Sequence, residues 1–293
     1  VADPVAIRSG AWTAQIHPLG AELWSLTDAQ GREWMTDADP AFWTGHAPLL
    51  FPVVGRLRGD RYRLDGTEYA LPQHGFARRR DFGLVEQDKA RVLFRLDADE
   101  ATHAVYPFAF RLDMDFALDG ATLAMTATVE NRDNRTMPFS FGYHPAFAWP
   151  LPTGGAKKDH RIVFEQPEPA PIRRIGGEPG LIAPDAEATP VEGDTFIPTH
   201  ALFERDAVIW DQLTSRSLLW GVPGEPRLRI DFPDTPTLGL WQKPGANYLC
   251  IEPWAGMADP AGFTGDFTQK PGIITLAPGA SRRFRMNVTL VEN

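Results

Sequence analysis

"FRLDMDFAL", residues 110–118, decides the fold class. Phe110, Leu112, Met114, Phe116 and Leu118 alternate with Arg111, Asp113 and Asp115, the period of two that a strand with one buried face requires. Asp119-Gly120 is a turn pair. After it Leu123, Met125, Ala127 and Val129 share one face against Thr122, Thr126, Thr128 and Glu130. The two runs predict a hairpin closed by Asp-Gly.

The same device recurs on either side. "RYRLDGTEYAL", residues 61–71, places two short strands around Asp65-Gly66, and "FGLVEQDKARVLFRL", residues 82–96, reads as another strand pair. Phe284, Met286, Val288 and Leu290 alternate again near the C-terminus. Helical periodicity is scarce, and the one fair candidate is a short turn in "DEATHAVYP", residues 99–107, stopped by Pro107. With 26 glycines and 27 prolines scattered as punctuation rather than gathered in blocks, the expected fold is all-β, a large antiparallel sandwich with few short helices. Residues 152–200 are rich in proline and glycine and weakly periodic. They are expected to form an extended insertion over a single domain spanning 1–293, because strand patterns on both sides are needed to complete one core.

Composition excludes several classes of partner. Hydrophobic residues at 43% and charged residues at 23% are ordinary for a globular chain. The 29 basic and 38 acidic side chains leave a net charge of -9, which argues against nucleic acid or an anionic membrane as the main partner. A single cysteine, Cys250, rules out an intramolecular disulfide and a cysteine-based zinc finger, and it is compatible with a reducing compartment. The opening "VADPVAIRSGAW" lacks the regions of a signal peptide, and no apolar run reaches the about 18 residues of a membrane span. A cytoplasmic location is the expectation.

The candidate chemistry lies in four stretches: "FPVVGRLRGD" with Arg56, "LPQHGFARRRDF" with His74 and Arg78, "FGYHPAF" with His144, and "CIEPWAG" with Glu252. Glu252 follows the strand-like run "YLCI" and precedes Pro253, which ends regular pairing. A carboxylate hemmed in by Ile251 and Trp254 is poorly placed for a solvated role. A histidine and a glutamate together supply a proton donor and acceptor near neutral pH, and each charge would support the other.

Plainer readings stand beside these. His144 taken alone reads as a core histidine satisfied beside Tyr143, and His74 as a cap on the turn before Gly75. Arg58, Arg61 and Arg63 read as a solvated strand face, and Arg78 to Arg80 also fit surface charge. Phe76, Trp241 and Trp254 suit either a core or a flat apolar face at a site. His74, His144 and Glu252 are metal-ligand types, but their spacing lends no support, and no metal is expected. Phosphate-cradling, dinucleotide and serine-elbow motifs are missing.

"PLLFPVVGRL", "LPQHGFARRRDF", "FGYHPAF" and "LCIEPWAG", in this order and followed by "KPGIITLAPG", resemble the aldose 1-epimerase (galactose mutarotase-like) superfamily. Within it the chain is most similar to a bacterial branch of LacX-like proteins. The resemblance covers nearly the whole chain, and the order of its motifs is more specific than any one of them. It implies a β-supersandwich that interconverts the α and β anomers of a hexose without a cofactor.

By the same resemblance Glu252 is the general base on the anomeric hydroxyl and His144 the general acid on the ring oxygen. His74 and Arg56 match positioning residues. Asp206 in "LFERDAVIW" corresponds to an acidic residue that binds sugar hydroxyls, and Trp241 offers an apolar face. An epimerase of hexose 6-phosphates is the second reading, with Arg78, Arg56 and Lys243 as candidates for the phosphate. A carbohydrate-binding module without turnover is the third, since fold does not fix function. All three imply a small sugar as partner, with monomer and homodimer both open.

Overall fold

The computed structural model of the chain describes residues 3–10 and 12–292. The hairpin forms as its alternation requires: Phe110–Asp119 pairs antiparallel with Thr122–Asn131, with Leu112 opposite Val129 and Phe116 opposite Met125. Every residue of the alternating apolar face of both runs is buried. On the other face Arg95 Nε meets Asp113 Oδ1 at 2.6 Å and Arg91 Nη2 meets Asp115 Oδ2 at 2.7 Å, both across strands. Such partly exposed pairs favour the register more than they stabilise the fold.

This hairpin lies inside a nine-stranded sheet. From one edge to the other its strands are Thr195–Phe196, Arg161–Phe164, Ser217–Gly221, Arg227–Asp231, Ser281–Val291, Thr122–Asn131, Phe110–Asp119, Arg91–Asp97 and Gly83–Gln87. The C-terminal alternation is the strand that sets Met286 opposite Met125. The hairpin at Asp65-Gly66 also forms, but as a separate two-stranded sheet of Arg61–Leu64 and Thr67–Ala70. The expected helical turn is Glu100–Val105, its start capped by Asp99, whose side chain accepts from Thr102 N at 2.7 Å.

The segment at 152–200, expected as a covering insertion, is woven into the sheets. Arg161–Phe164 and Thr195–Phe196 belong to the nine-stranded sheet, while Arg173–Arg174 joins the second large sheet. Strands this short and irregular carry too few alternations to be read from periodicity.

The second sheet positions the chemistry. Its seven strands include, side by side, Arg173–Arg174, Val208–Trp210, Thr237–Trp241, Tyr248–Ala255, Phe141–Tyr143 and Leu49–Leu50, with Ala146–Ala148 also paired to Tyr248–Ala255. Tyr248–Ala255 is buried along its whole length. Leu249 and Ile251 turn into the core shared with the first sheet, whereas Tyr248, Cys250 and Trp254 pack in separate clusters on the outer face. Tyr143 links the layers: its hydroxyl accepts from Ala127 N at 3.0 Å and donates to the Phe284 carbonyl at 2.8 Å. Among the described residues no helix is long and apolar enough to cross a membrane.

Candidate active site

Alternation on the second sheet decides which side chains meet. Leu238, Leu240, Leu249 and Ile251 pack into the main core, so Trp241, Glu252 and Trp254 face outward together. Gly239 stands opposite Glu252, and a Cβ there would lie 2.4 Å from the Trp254 ring. Glycine at this position lets the indole lie flat across the strand. The result is a cavity of about 270 Å³ whose lining includes Trp43, His74, Arg78, His144, Asp206, Trp241, Glu252 and Trp254. It is at the small end of ligand pockets, which run from about 300 Å³ upward.

His144 reaches the cavity because Tyr143 points the other way. Tyr143 is anchored in the core, and its successor in the chain therefore emerges on the outer face. His144 Nε2 lies 3.2 Å from Glu252 Oε2, with the two residues 7% and 1% exposed. Burial raises Glu252 well above the usual carboxylate range, and Asp206 adds to the rise. Burial also lowers His144, with the Arg78 charge acting in the same direction. Both shifts favour neutral forms. The mutual support of charges expected from the sequence is therefore opposed by desolvation, which favours one shared proton over an ion pair.

The other sequence candidates divide. His74 is held in a left-handed conformation at φ 65°. Its Nδ1 accepts from Gly55 N at 3.1 Å, which leaves Nε2 as the protonated nitrogen of the neutral ring. The next residue, Gly75, sits where a Cβ would be 2.2 Å from the Phe51 carbonyl. The His74 and His144 rings are perpendicular, 5.6 Å apart. Asp206 also has positive φ, 65°, and its Oδ1 accepts from Ala207 N at 2.7 Å. Arg78 lines the cavity, and among the described residues its guanidinium is engaged in no hydrogen bond or ion pair.

Arg56, Lys243 and Phe76 do not join this group. The Arg56 guanidinium clamps Asp60, Nε to Oδ1 at 2.9 Å and Nη2 to Oδ2 at 2.8 Å, and its aliphatic part packs where Gly180 lacks a side chain. Lys243 is exposed away from the cavity lining. Phe76 packs in the core against Phe51, edge to face at 5.9 Å. Arg56, Arg78 and Lys243 thus do not converge on one site.

Trp43 and Gln73 line the cavity without a signal in the motifs, and Arg79, which fits surface charge in the sequence, lines it too. Trp43 lies tilted on His144 at 5.1 Å and edge-on to Trp241 at 5.6 Å. Its one sequence signal is Gly45, where a Cβ would be 2.3 Å from the Trp43 ring. Ile175 and Gly180, from the irregular 152–200 segment, complete one rim.

Comparison with known proteins shows the family and the fold. The family model for aldose 1-epimerase matches residues 3–289. The chromosomal LacX protein of Lactococcus lactis subsp. lactis is 29% identical over 297 residues, covering 98% of this chain and 99% of that protein. A galactose mutarotase-like protein from Lactobacillus casei superposes with a TM-score of 0.91 at 32% identity, covering 98% of this chain and 100% of the other. A galactose mutarotase related enzyme from Lactobacillus acidophilus gives a TM-score of 0.89 at 30% identity, covering 99% and 97%.

Proposed function

The chain belongs to the aldose 1-epimerase family, in its LacX-like branch, and on that footing we propose that it interconverts the α and β anomers of a hexose by acid/base ring opening. The observation that carries this reading is the 3.2 Å approach of His144 Nε2 to Glu252 Oε2 on the cavity floor. The anomeric hydroxyl oxygen and the ring oxygen of a pyranose are bonded to the same carbon. A base for one and an acid for the other must therefore be neighbours.

The proton count closes. Transfer of the shared proton from Glu252 to His144 yields a carboxylate and an imidazolium without any exchange with solvent. Glu252 then takes the proton of the anomeric hydroxyl, His144 protonates the ring oxygen, and the bond between that oxygen and the anomeric carbon breaks. The open aldehyde turns about its bond to the next carbon, and closure reverses both transfers. No cofactor enters these steps. His74 presents a ring N–H to the sugar, Asp206 accepts from hydroxyls, and Trp241 and Trp254 offer apolar faces to the ring.

Arg78 favours a second reading, a hexose 6-phosphate as substrate. A half-buried guanidinium with no hydrogen-bond or ion-pair partner among the described residues, with Arg79 also on the lining, suits a phosphate by bidentate bonding. Anomer exchange measured by NMR for glucose, galactose and glucose 6-phosphate tests both readings. Exchange of at least one sugar well above the buffer rate is expected, and the preferred sugar decides between them. Exchange at the buffer rate for all three would contradict the epimerase reading for these substrates.

A further inference from the structure

Among the described residues the close cluster of metal-ligand types is not the two histidines with Glu252 but His144, Cys250 and Glu252, of which His144 and Glu252 line the cavity and Cys250 lies buried behind them. One donor atom from each lies within 4.8 Å of the other two, and all three residues are buried. Local structure dictates the set. Cys250 and Glu252 are two apart on one strand and share a face. Ala146 pairs with Cys250, which brings the His144-Pro145 corner over both. His74, by contrast, stands edge-on to His144 with ring centres 5.6 Å apart. Cys250 has no part in the proposed proton transfers.

We propose that His144, Cys250 and Glu252 form a binding site for a thiophilic divalent cation of the zinc class, whose occupancy blocks the acid/base pair. Thiolate, imidazole and carboxylate are the ligand types that zinc takes, at about 2.0–2.3 Å. Bringing three donors from a 4.8 Å spread to the spacing of a tetrahedron requires side-chain adjustment, not movement of the sheet. One thiolate and one carboxylate neutralise a divalent charge, so the closed complex is neutral in a buried place where net charge is costly. Magnesium and calcium prefer oxygen donors and are poor fits to a sulfur and a nitrogen.

Binding consumes the groups that catalysis needs. The metal occupies the His144 nitrogen lone pair and the Glu252 carboxylate, and it displaces two protons to solvent, the thiol proton of Cys250 and the proton that His144 and Glu252 share. Bound zinc and ring opening therefore exclude one another. The site is inhibitory, not a cofactor site.

Titration of the full chain with cobalt(II) tests the assignment, because Cys250 is the only cysteine. A near-ultraviolet thiolate-to-cobalt charge-transfer band must then come from Cys250. We expect a saturable band with one cobalt per chain, displaced by zinc and absent in Cys250→Ser. Zinc should weaken by more than about tenfold in that variant, the loss that even an outer-shell partner carries. Cobalt binding without the band, or zinc affinity unchanged in Cys250→Ser, would overturn the site. Should that variant not fold, the wild-type cobalt spectrum decides the matter, because a saturated cobalt complex without the thiolate band counts against the site. The spectrum reports metal binding whether or not a sugar is turned over, so failure here is distinct from failure of the proposed epimerase activity.

Discussion

The Tyr143 hydroxyl donates to the Phe284 carbonyl at 2.8 Å and so ties the sheet that carries His144 and Glu252 to the sheet beneath it. Removing that hydroxyl leaves the buried Ala127 N–H and the Phe284 carbonyl without this partner. Tyr143→Phe should cost about 1–3 kcal/mol of folding stability, read by urea denaturation. It should also lower the exchange rate, because His144 is the next residue. A variant as stable and as active as wild type would show that the link does not position the histidine.

The shared proton has a pH signature. His144 is lowered, so it gains a second proton only well below the usual histidine value of about 6.5. Glu252 is raised, so the pair loses its single proton only well above the usual glutamate value of about 4.3. Between those limits the pair keeps one proton. The profile of kcat/KM should accordingly carry its acid limb below the ordinary histidine value and its alkaline limb above the ordinary glutamate value. An inflection at the ordinary histidine value would show that burial does not control the pair.

Gly239 supports the platform. Gly239→Ala should push the Trp254 ring out of place at a cost of about 1–3 kcal/mol, visible as a lower denaturation midpoint together with weaker sugar binding. Unchanged stability and binding would mean that the ring moves without consequence.

Much of this was legible in the sequence, for physical reasons. The alternation from Phe110 to Val129 fixes a two-faced hairpin because one face is buried and the other solvated. His144 and Glu252 were found because a histidine in an aromatic stretch and a carboxylate in an apolar strand each require an explanation. Trp43, by contrast, lies in "FWTGHAP", which has no periodicity, and only the gap at Gly45 lets it fold over His144. Arg56 was legible as an arginine but not as the partner of Asp60, four residues on and within bidentate reach. The rim residues Ile175 and Gly180 come from a segment whose strands are too short to announce themselves.

Arg78 separates the two substrate readings. Replacing it by methionine should weaken binding of a phosphorylated hexose by about tenfold to a hundredfold, the value of a charged hydrogen bond, while affecting a free hexose less. Titration calorimetry with glucose and glucose 6-phosphate reads both. Equal losses for the two sugars would make Arg78 a contact to the ring and not to a phosphate.

The most direct test of the acid/base assignment is the anomer exchange rate of Glu252→Gln, measured by NMR alongside its sugar affinity. The amide keeps the shape of the side chain and removes the base. A fall of about 10²–10⁴-fold in rate with sugar binding largely retained is the predicted result. Exchange at the wild-type rate would contradict it and leave Glu252 as a binding residue in a protein whose chemistry lies elsewhere.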